Sequence, residues 1–213
     1  RLVGSEMCIR EQGFIRAVGT VVNSDMRRDL MRLTVTSPAG FSSGLSGGES
    51  VAVDGVCLTV VSTEGDELTF DVIQESLTLT TLSEAKTGAE LNLERSLKYG
   101  DEVGGHILSG HISCISEIVG LVSDEGVHDL RLQVDAEWMR YILEKGFIAI
   151  DGISLTVGRT DSETGTFNVH LIPETLQRTT ILGKGVGAHL NIEFDSQTVA
   201  TVDTTERMHG VNQ

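Results

Sequence analysis

The second half of the chain answers the first. VAVDGVCLTV at 51–60 faces IAIDGISLTV at 148–157 with six identities in ten positions, at a spacing of 97 residues. ESLTLTTL (75–82) faces ETLQRTTI (174–181), and GAELNLE (88–94) faces GAHLNIE (187–193), both at a spacing of 99, so two residues enter between the blocks. GFIRAVGTV (13–21) opposes GHISCISEI (110–118) more weakly, again at 97. Solenoid units run about 20 to 50 residues, so a repeat of this length is a whole domain copied once. Two domains of one shape are what 213 residues can then hold.

Within a copy the apolar residues alternate: Val51 and Val53, Leu58 and Val60, then Leu68, Phe70 and Val72, and finally Leu91 and Leu93. A period of two marks strands with one buried face. Turn-forming clusters such as Ser42-Ser43-Gly44 and Ser46-Gly47-Gly48 separate these runs, which predicts antiparallel sheets closed into small barrels rather than a parallel βαβ array. The expected class is all-β, two similar barrels in tandem. Helix is expected only over 136–144, where Met139, Ile142 and Leu143 recur at helical spacing, and in the tail over 202–208. The crossover between copies is expected at 95–105, RSLKYGDEVGG, whose glycines and charges suit exposed chain.

Charge and cysteine usage narrow the partners. Acidic residues outnumber basic ones by 31 to 16, a formal net charge of −15, which repels a phosphate backbone and sets nucleic acid aside. Cys8, Cys57 and Cys114 are odd in number, widely spaced and without a CxxC, so neither a disulfide framework nor a zinc knuckle is indicated and a reducing compartment is expected. No apolar run reaches the roughly 18 residues of a membrane span, and residues 1–12 lack the apolar stretch of a signal peptide. The start at Arg1 predicts a processed or foreign leader; the cytoplasm is expected, or a plastid where a transit peptide has been removed. Gly-rich SGLSGGES (43–50) has neither phosphate-loop pattern and reads as loop, with Ser50 at its end.

The repeated blocks hold the candidate chemistry. Asp54-Gly55 and Asp151-Gly152 read as tight turns, the aspartates capping them and the glycines supplying positive φ. Cys57 and Ser154 are both small with a polar tip, and each lies two residues before a threonine, Thr59 or Thr156. Each copy thereby sets a thiol or hydroxyl beside a hydroxyl on one strand face. That face reads as a pocket wall, while Cys57 by itself reads as a small buried hydrophobe. His106 and His111 in GGHILSGH are five apart, off one helix face and without a third ligand, so they suit structural or substrate hydrogen bonds rather than a metal. Asp195 matches Ser96 in the first copy and reads either as a solvated turn residue or as a functional asymmetry.

Together DGVCLTV, ESLTLTTL, GGHILSGH, KGFIAIDGISLTV, HLIPETLQRTT and VDTTER resemble the riboflavin synthase alpha-chain family over residues 13–207. The resemblance implies two six-stranded Greek-key barrels and a C-terminal helix, in cofactor-free and metal-free homotrimers. These dismutate two molecules of 6,7-dimethyl-8-ribityllumazine into riboflavin and 5-amino-6-ribitylaminouracil. The domains it implies are a leader at 1–12, lumazine-binding barrels at 13–100 and 101–196, and an oligomerisation helix at 197–213. One lumazine would fill each barrel mouth, with the reaction where the N-terminal barrel of one subunit meets the C-terminal barrel of its neighbour. By the same resemblance Ser50, Cys57, Thr59 and Ser76 line the first pocket, closed by Gly110 and His111. Lys145, Ser154, Thr156, Ile172 and Thr175 line the second, with Asp195 nearby. Ser154 or a bound water would add at C7 of the donor, His111 would relay protons, Asp195 would orient or polarise, and Cys57 would contact the acceptor. Neither nucleic acid nor membrane is implied as a partner.

One stretch departs from the family. Its members begin Met-Phe-Thr-Gly-Ile-Val, where this chain reads Arg10-Glu11-Gln12-Gly13-Phe14-Ile15. Either a foreign leader precedes an intact core from Gly13, or an element needed for activity has been replaced. The second case keeps alive a non-catalytic lumazine- or flavin-binding antenna protein. Such proteins degrade the second copy's motifs, and DGISLTV and HLIPET are intact here, which favours the enzyme. A bare acidic β-barrel interaction module would leave the paired polar strands unused.

Overall fold

The computed structural model describes residues 13–124 and 127–210; Cys8 and the departing Arg10-Glu11-Gln12 lie outside them. In the first half β1 (Ala17–Met26), β2 (Leu30–Thr36), β3 (Ser50–Val53), β4 (Val56–Glu64), β5 (Glu67–Ile73) and β6 (Glu90–Arg95) close a barrel in the order β1-β2-β5-β4-β3-β6. In the second, β7 (Cys114–Asp124), β8 (Val127–Gln133), β9 (Phe147–Ile150), β10 (Ile153–Asp161), β11 (Thr166–Leu171) and β12 (His189–Phe194) close in the same cyclic order. Short helices α1 (Gln74–Leu79) and α2 (Pro173–Arg178) follow β5 and β11, and α3 (Ser196–Gly210) ends the described chain. The tandem of six-stranded antiparallel barrels and the terminal helix are as the sequence led one to expect.

Alternation builds each core. Leu33, Val35, Val51, Val53, Leu68, Phe70 and Leu93 fill the first barrel, and Leu130, Leu132, Ile148, Ile150, Phe167, Val169 and Ile192 the second. The two extra residues of the second copy fall in a hairpin. Glu64 pairs with Glu67 across a two-residue turn, Asp161 with Thr166 across four residues, so the insertion is spent in solvent and the cores keep their register. Even the bulges recur, between Val21 and Asn23 and between Ile118 and Gly120. A bulge sharpens local twist, which a barrel this small needs to close.

The helix expected over 136–144 is a correction. Residues Ala136–Tyr141 form a 3₁₀ helix, with Trp138 N–H on the Asp135 carbonyl and Ile142 N–H on that of Met139. Lys145, at φ 65°, and Gly146 then turn the chain into β9. Three-residue spacing of Met139 and Ile142 suits a 3₁₀ turn as well as an α-helix, and the following turn leaves no length for the latter. The tail helix begins earlier than expected, at Ser196, because Asp195 accepts from Thr198 N–H (2.9 Å) and Oγ1 (2.8 Å) as its cap.

The halves meet at the Asp-Gly turns. Asp54 and Asp151 have φ of 44° and 46°, and Gly55 and Gly152 both have 78°, the paired positive values of a two-residue hairpin turn. A Cβ on Gly55 would stand 2.6 Å from Gly152 N, so the turns stack backbone on backbone. Asp54 accepts from Asn92 N–H (2.7 Å) and Asp151 from Asn191 N–H (2.8 Å). Each asparagine then crosses over: Asn92 Nδ2 donates to the Asp151 carbonyl (3.1 Å) and Asn191 Nδ2 to that of Asp54 (2.9 Å).

One cation breaks the symmetry. Lys184, whose counterpart at spacing 99 is Ala85, places Nζ 2.5 Å from Asp151 and 3.5 Å from Asp54. Burial, then the Asp151 charge, pushes the Asp54 carboxyl up to about 7 despite Lys184. Burial likewise raises Asp151, against the pull of Lys184. Burial works to lower Lys184, but the two carboxylates outweigh it and hold the ammonium above its ordinary value.

Folding therefore draws a proton onto Asp54 between its ordinary 3.8 and about 7. The folded state holds more protons there, so stability from this group falls as pH rises from 4 to 7. Asp54→Asn, which keeps the acceptor for Asn92, should flatten that part of the denaturation-versus-pH curve. Lys184→Met, leaving two buried carboxylates without a cation, should cost about 3–5 kcal/mol at neutral pH, measured by urea unfolding.

Candidate functional site

The stretch ahead of each barrel's first strand is exchanged with the other barrel. Gly13 donates its N–H to Glu94 in β6 (3.1 Å), while its carbonyl accepts from Ser154 N–H in β10 (2.9 Å). Gly110 donates to Glu193 in β12 (3.0 Å), and its carbonyl accepts from Cys57 N–H in β4 (3.0 Å). Both glycines have φ 73°, and a Cβ on either would stand 2.4 Å from the Cβ of Ser154 or Cys57. Only glycine lets these crossings come so close.

Beside Ser154 the wall of the second barrel opens on a cavity of about 290 Å³. Gly13, Phe14, Ile153, Leu155 and Ile172 give it apolar walls, and Ser154, Thr156, Thr175 and Thr179 give it hydroxyls. Ile15, His170, Glu174 and Arg178 complete the lining, and a neighbouring hollow of about 530 Å³ shares Phe14, Ile15, Glu174 and Arg178. Apolar surface with a few convergent polar groups is the usual lining of a small-molecule site.

Ser154 has an imidazole partner. His106 Nδ1 lies 2.6 Å from Ser154 Oγ, and the ring stacks on Phe147 at 5.2 Å and 16°. The histidine is buried, and among the described residues its Nε2 has no hydrogen-bond partner. Burial lowers its pKa and the Asp195 charge partly opposes this, so the ring is neutral at neutral pH. A neutral imidazole on a serine hydroxyl is a base in place.

Of the residues expected in the second pocket, Ser154, Thr156, Ile172 and Thr175 share the cavity. Lys145 is outside that lining, at the turn where its N–H meets the Val157 carbonyl (2.9 Å). Asp195 is outside it too, capping α3 and acting on His106 only through its charge. On the first barrel Cys57 and Thr59 share β4, Ser50 pairs with Thr59, and Gly110 grips Cys57, while Ser76 lies in α1 with its carbonyl accepting from Thr80 Oγ1 (2.6 Å). His111 is exposed, so the histidine at Ser154 is its neighbour in the motif, His106. Cys114 is held near 12 by burial and is inert as a nucleophile. Among the described residues no cluster of three His, Cys, Asp or Glu could hold a metal, and no helix is long and apolar enough to cross a membrane.

Sequence reading missed Gly13, Phe14, His170, Glu174, Arg178 and the carboxylates Glu94 and Glu193. The last two had a signal, since both repeated Leu-Asn blocks end in glutamate directly after an apolar residue of the strand, Leu93 or Ile192. His170 had none: it pairs with Asp129 (2.5 Å) where the first barrel has Asp71 with Arg32 (2.8 Å), so acid and base have changed strands.

Two closed barrels that exchange the stretches ahead of their first strands, each presenting a polar strand end beside a buried glycine, define a duplicated small-molecule-binding protein. The chain belongs to the lumazine binding domain family, whose pattern matches residues 12–96 and again 109–195. It is 44% identical over 197 residues to the riboflavin synthase of Escherichia coli (strain K12), covering 92% of each chain. To that of Chlamydia pneumoniae it is 45% identical over 196 residues, covering 92% of this chain and 95% of the relative. Its fold is that of LumP complexed with 6,7-dimethyl-8-(1'-D-ribityl) lumazine, at a TM-score of 0.78 and 22% identity over 87% of this chain and 99% of that one.

The lowered pKa of His106 has a direct test. Its ring should titrate below the ordinary 6.5 by NMR, and Asp195→Asn, which removes the opposing charge, should lower the midpoint further. An unmoved midpoint would leave Asp195 a helix cap alone.

Proposed function

We propose that the chain is a riboflavin synthase: it dismutates two molecules of 6,7-dimethyl-8-ribityllumazine into riboflavin and 5-amino-6-ribitylaminouracil by moving four carbons between them. Ser154, paired with His106 and set in the wall of an apolar, hydroxyl-lined cavity, carries this reading. Support comes from relatives that bear the name riboflavin synthase over nearly the whole chain. The two products together contain every atom of the two substrates, so the exchange consumes no oxidant or reductant. Duplicated pockets suit a reaction between two copies of one molecule, and holding the rings against each other supplies the entropic part of the rate.

In this reading Ser154 Oγ adds at C7 of the donor lumazine, its proton passing to His106 Nδ1. As the four-carbon unit leaves the donor, the Oγ–C7 bond breaks and His106 returns the proton to Ser154 Oγ, restoring both groups. The relay is thereby given to His106, adjacent to Ser154, rather than to His111. Thr156, Thr175 and Thr179 hold the ring and ribityl oxygens. Cys57 and Thr59 contact the acceptor, whose acidic 7-methyl group supplies the carbanion. The reacting pair lies between the N-terminal barrel of one subunit and the C-terminal barrel of the next in a homotrimer.

The protein incubated with the lumazine alone should generate the longer-wavelength absorbance and fluorescence of riboflavin; tight binding without turnover would identify an antenna protein instead. Ser154→Ala and His106→Ala should each lower kcat by about 10²–10⁴-fold with little change in KM, and unchanged rates would remove the pair from the mechanism.

A further inference from the structure

We propose that Glu193 is a positioning residue: it fixes the strap 106–111 so that His106 meets Ser154 while Gly110 grips the Cys57 strand of the other barrel. The inference rests on the reading of Ser154 and His106 given above. Glu193 is 6% exposed, and both its oxygens are committed to the strap. Oε1 accepts from Ser109 N–H (2.6 Å) and Ser109 Oγ (2.7 Å), and Oε2 accepts from Gly110 N–H (3.0 Å). Three residues toward the N-terminus the same strap carries His106; at Gly110 its carbonyl takes the Cys57 N–H.

The register explains how a residue on β12 governs a serine on β10. Glu193 pairs with Ala149 in β9, and Ala149 pairs with Ser154, so all three occupy one row across the sheet. Glu94, Ala52 and Cys57 form the matching row in the first barrel. Because directly opposite residues project on one face, the strap is referenced to the same row that carries the nucleophile. Any slip of the Glu193 contact is transmitted to the 2.6 Å His106–Ser154 bond, and hydrogen bonding of this kind is lost over a few tenths of an ångström.

Glu193→Gln replaces one acceptor oxygen with an NH₂ that faces an N–H donor, at nearly unchanged volume. A role confined to stability would lower the melting temperature and leave the chemistry of the folded protein alone. Positioning predicts instead that folded Glu193→Gln loses about tenfold or more in kcat with KM within about twofold. It also predicts that the ¹⁵N signal of His106 Nδ1 moves toward that of Ser154→Ala. Glu193→Asp, which keeps both oxygens, should recover part of each. A folded Glu193→Gln with an unmoved His106 signal and wild-type kcat overturns the proposal. Should Glu193→Gln fail to fold, Ser109→Ala removes one of the three donors and must shift the same signal in the same direction, or the proposal falls. The signal is read without substrate, so an inactive wild-type protein would sink the synthase reading while positioning is still decided.

Discussion

Two Asp-Gly turns stacked backbone to backbone set the geometry of everything else. They are the hairpins that join β3 to β4 and β9 to β10, and the strands leaving them carry Cys57 and Ser154 three residues later. Fixing the turns against each other therefore fixes the strands that bear Cys57 and Ser154 against each other. The contact is made of polar groups, so every one must be satisfied. Asn92 and Asn191 do this reciprocally, each taking an aspartate on its own barrel and a carbonyl on the other. Two buried carboxylates at this spot would repel, and Lys184 offsets them.

The exchanged straps turn this contact into a working arrangement. Gly13 and Gly110 bind a carboxylate on their own barrel and a strand on the other, so the Ser154 strand is completed by chain from the first barrel and the Cys57 strand by chain from the second. A single barrel would present Ser154 without the backbone oxygen of Gly13 and Cys57 without that of Gly110. Duplication here joins the two barrels through shared backbone contacts as well as matching two identical substrates.

The copies have also diverged where divergence has chemical meaning. Cys57 stands for Ser154, Ala85 for Lys184, and the Arg32–Asp71 pair for Asp129–His170. The barrel cores, by contrast, exchange one apolar residue for another: Leu68 and Phe70 occupy the positions of Phe167 and Val169, and Val51 and Val53 those of Ile148 and Ile150. Packing accepts apolar exchanges of small volume difference. One fold thereby presents two chemically different strand ends, a thiol at Cys57 and a hydroxyl at Ser154.

The architecture and the turns were legible because they rest on local rules. Alternation implies strands, Asp-Gly implies a tight turn, and a copied pattern implies a copied fold. Which histidine reaches Ser154 was not legible: His106 and His111 lie in one motif, and only the path of the strap buries one against β10 and leaves the other in solvent. Asp195 shows the same limit, since a carboxylate ahead of Thr198 caps a helix whatever its field does at His106. The 3₁₀ turn at Ala136–Tyr141 was hidden because three-residue spacing serves two helices equally. By itself the sequence determined two like barrels, their turns and the strands bearing Cys57 and Ser154, all consequences of near-neighbour periodicity. Tertiary structure alone decided the exchange of straps, the sharing of Lys184 and the pairing of His106 with Ser154, because these contacts join residues 33 to 141 positions apart and depend on how closed barrels pack.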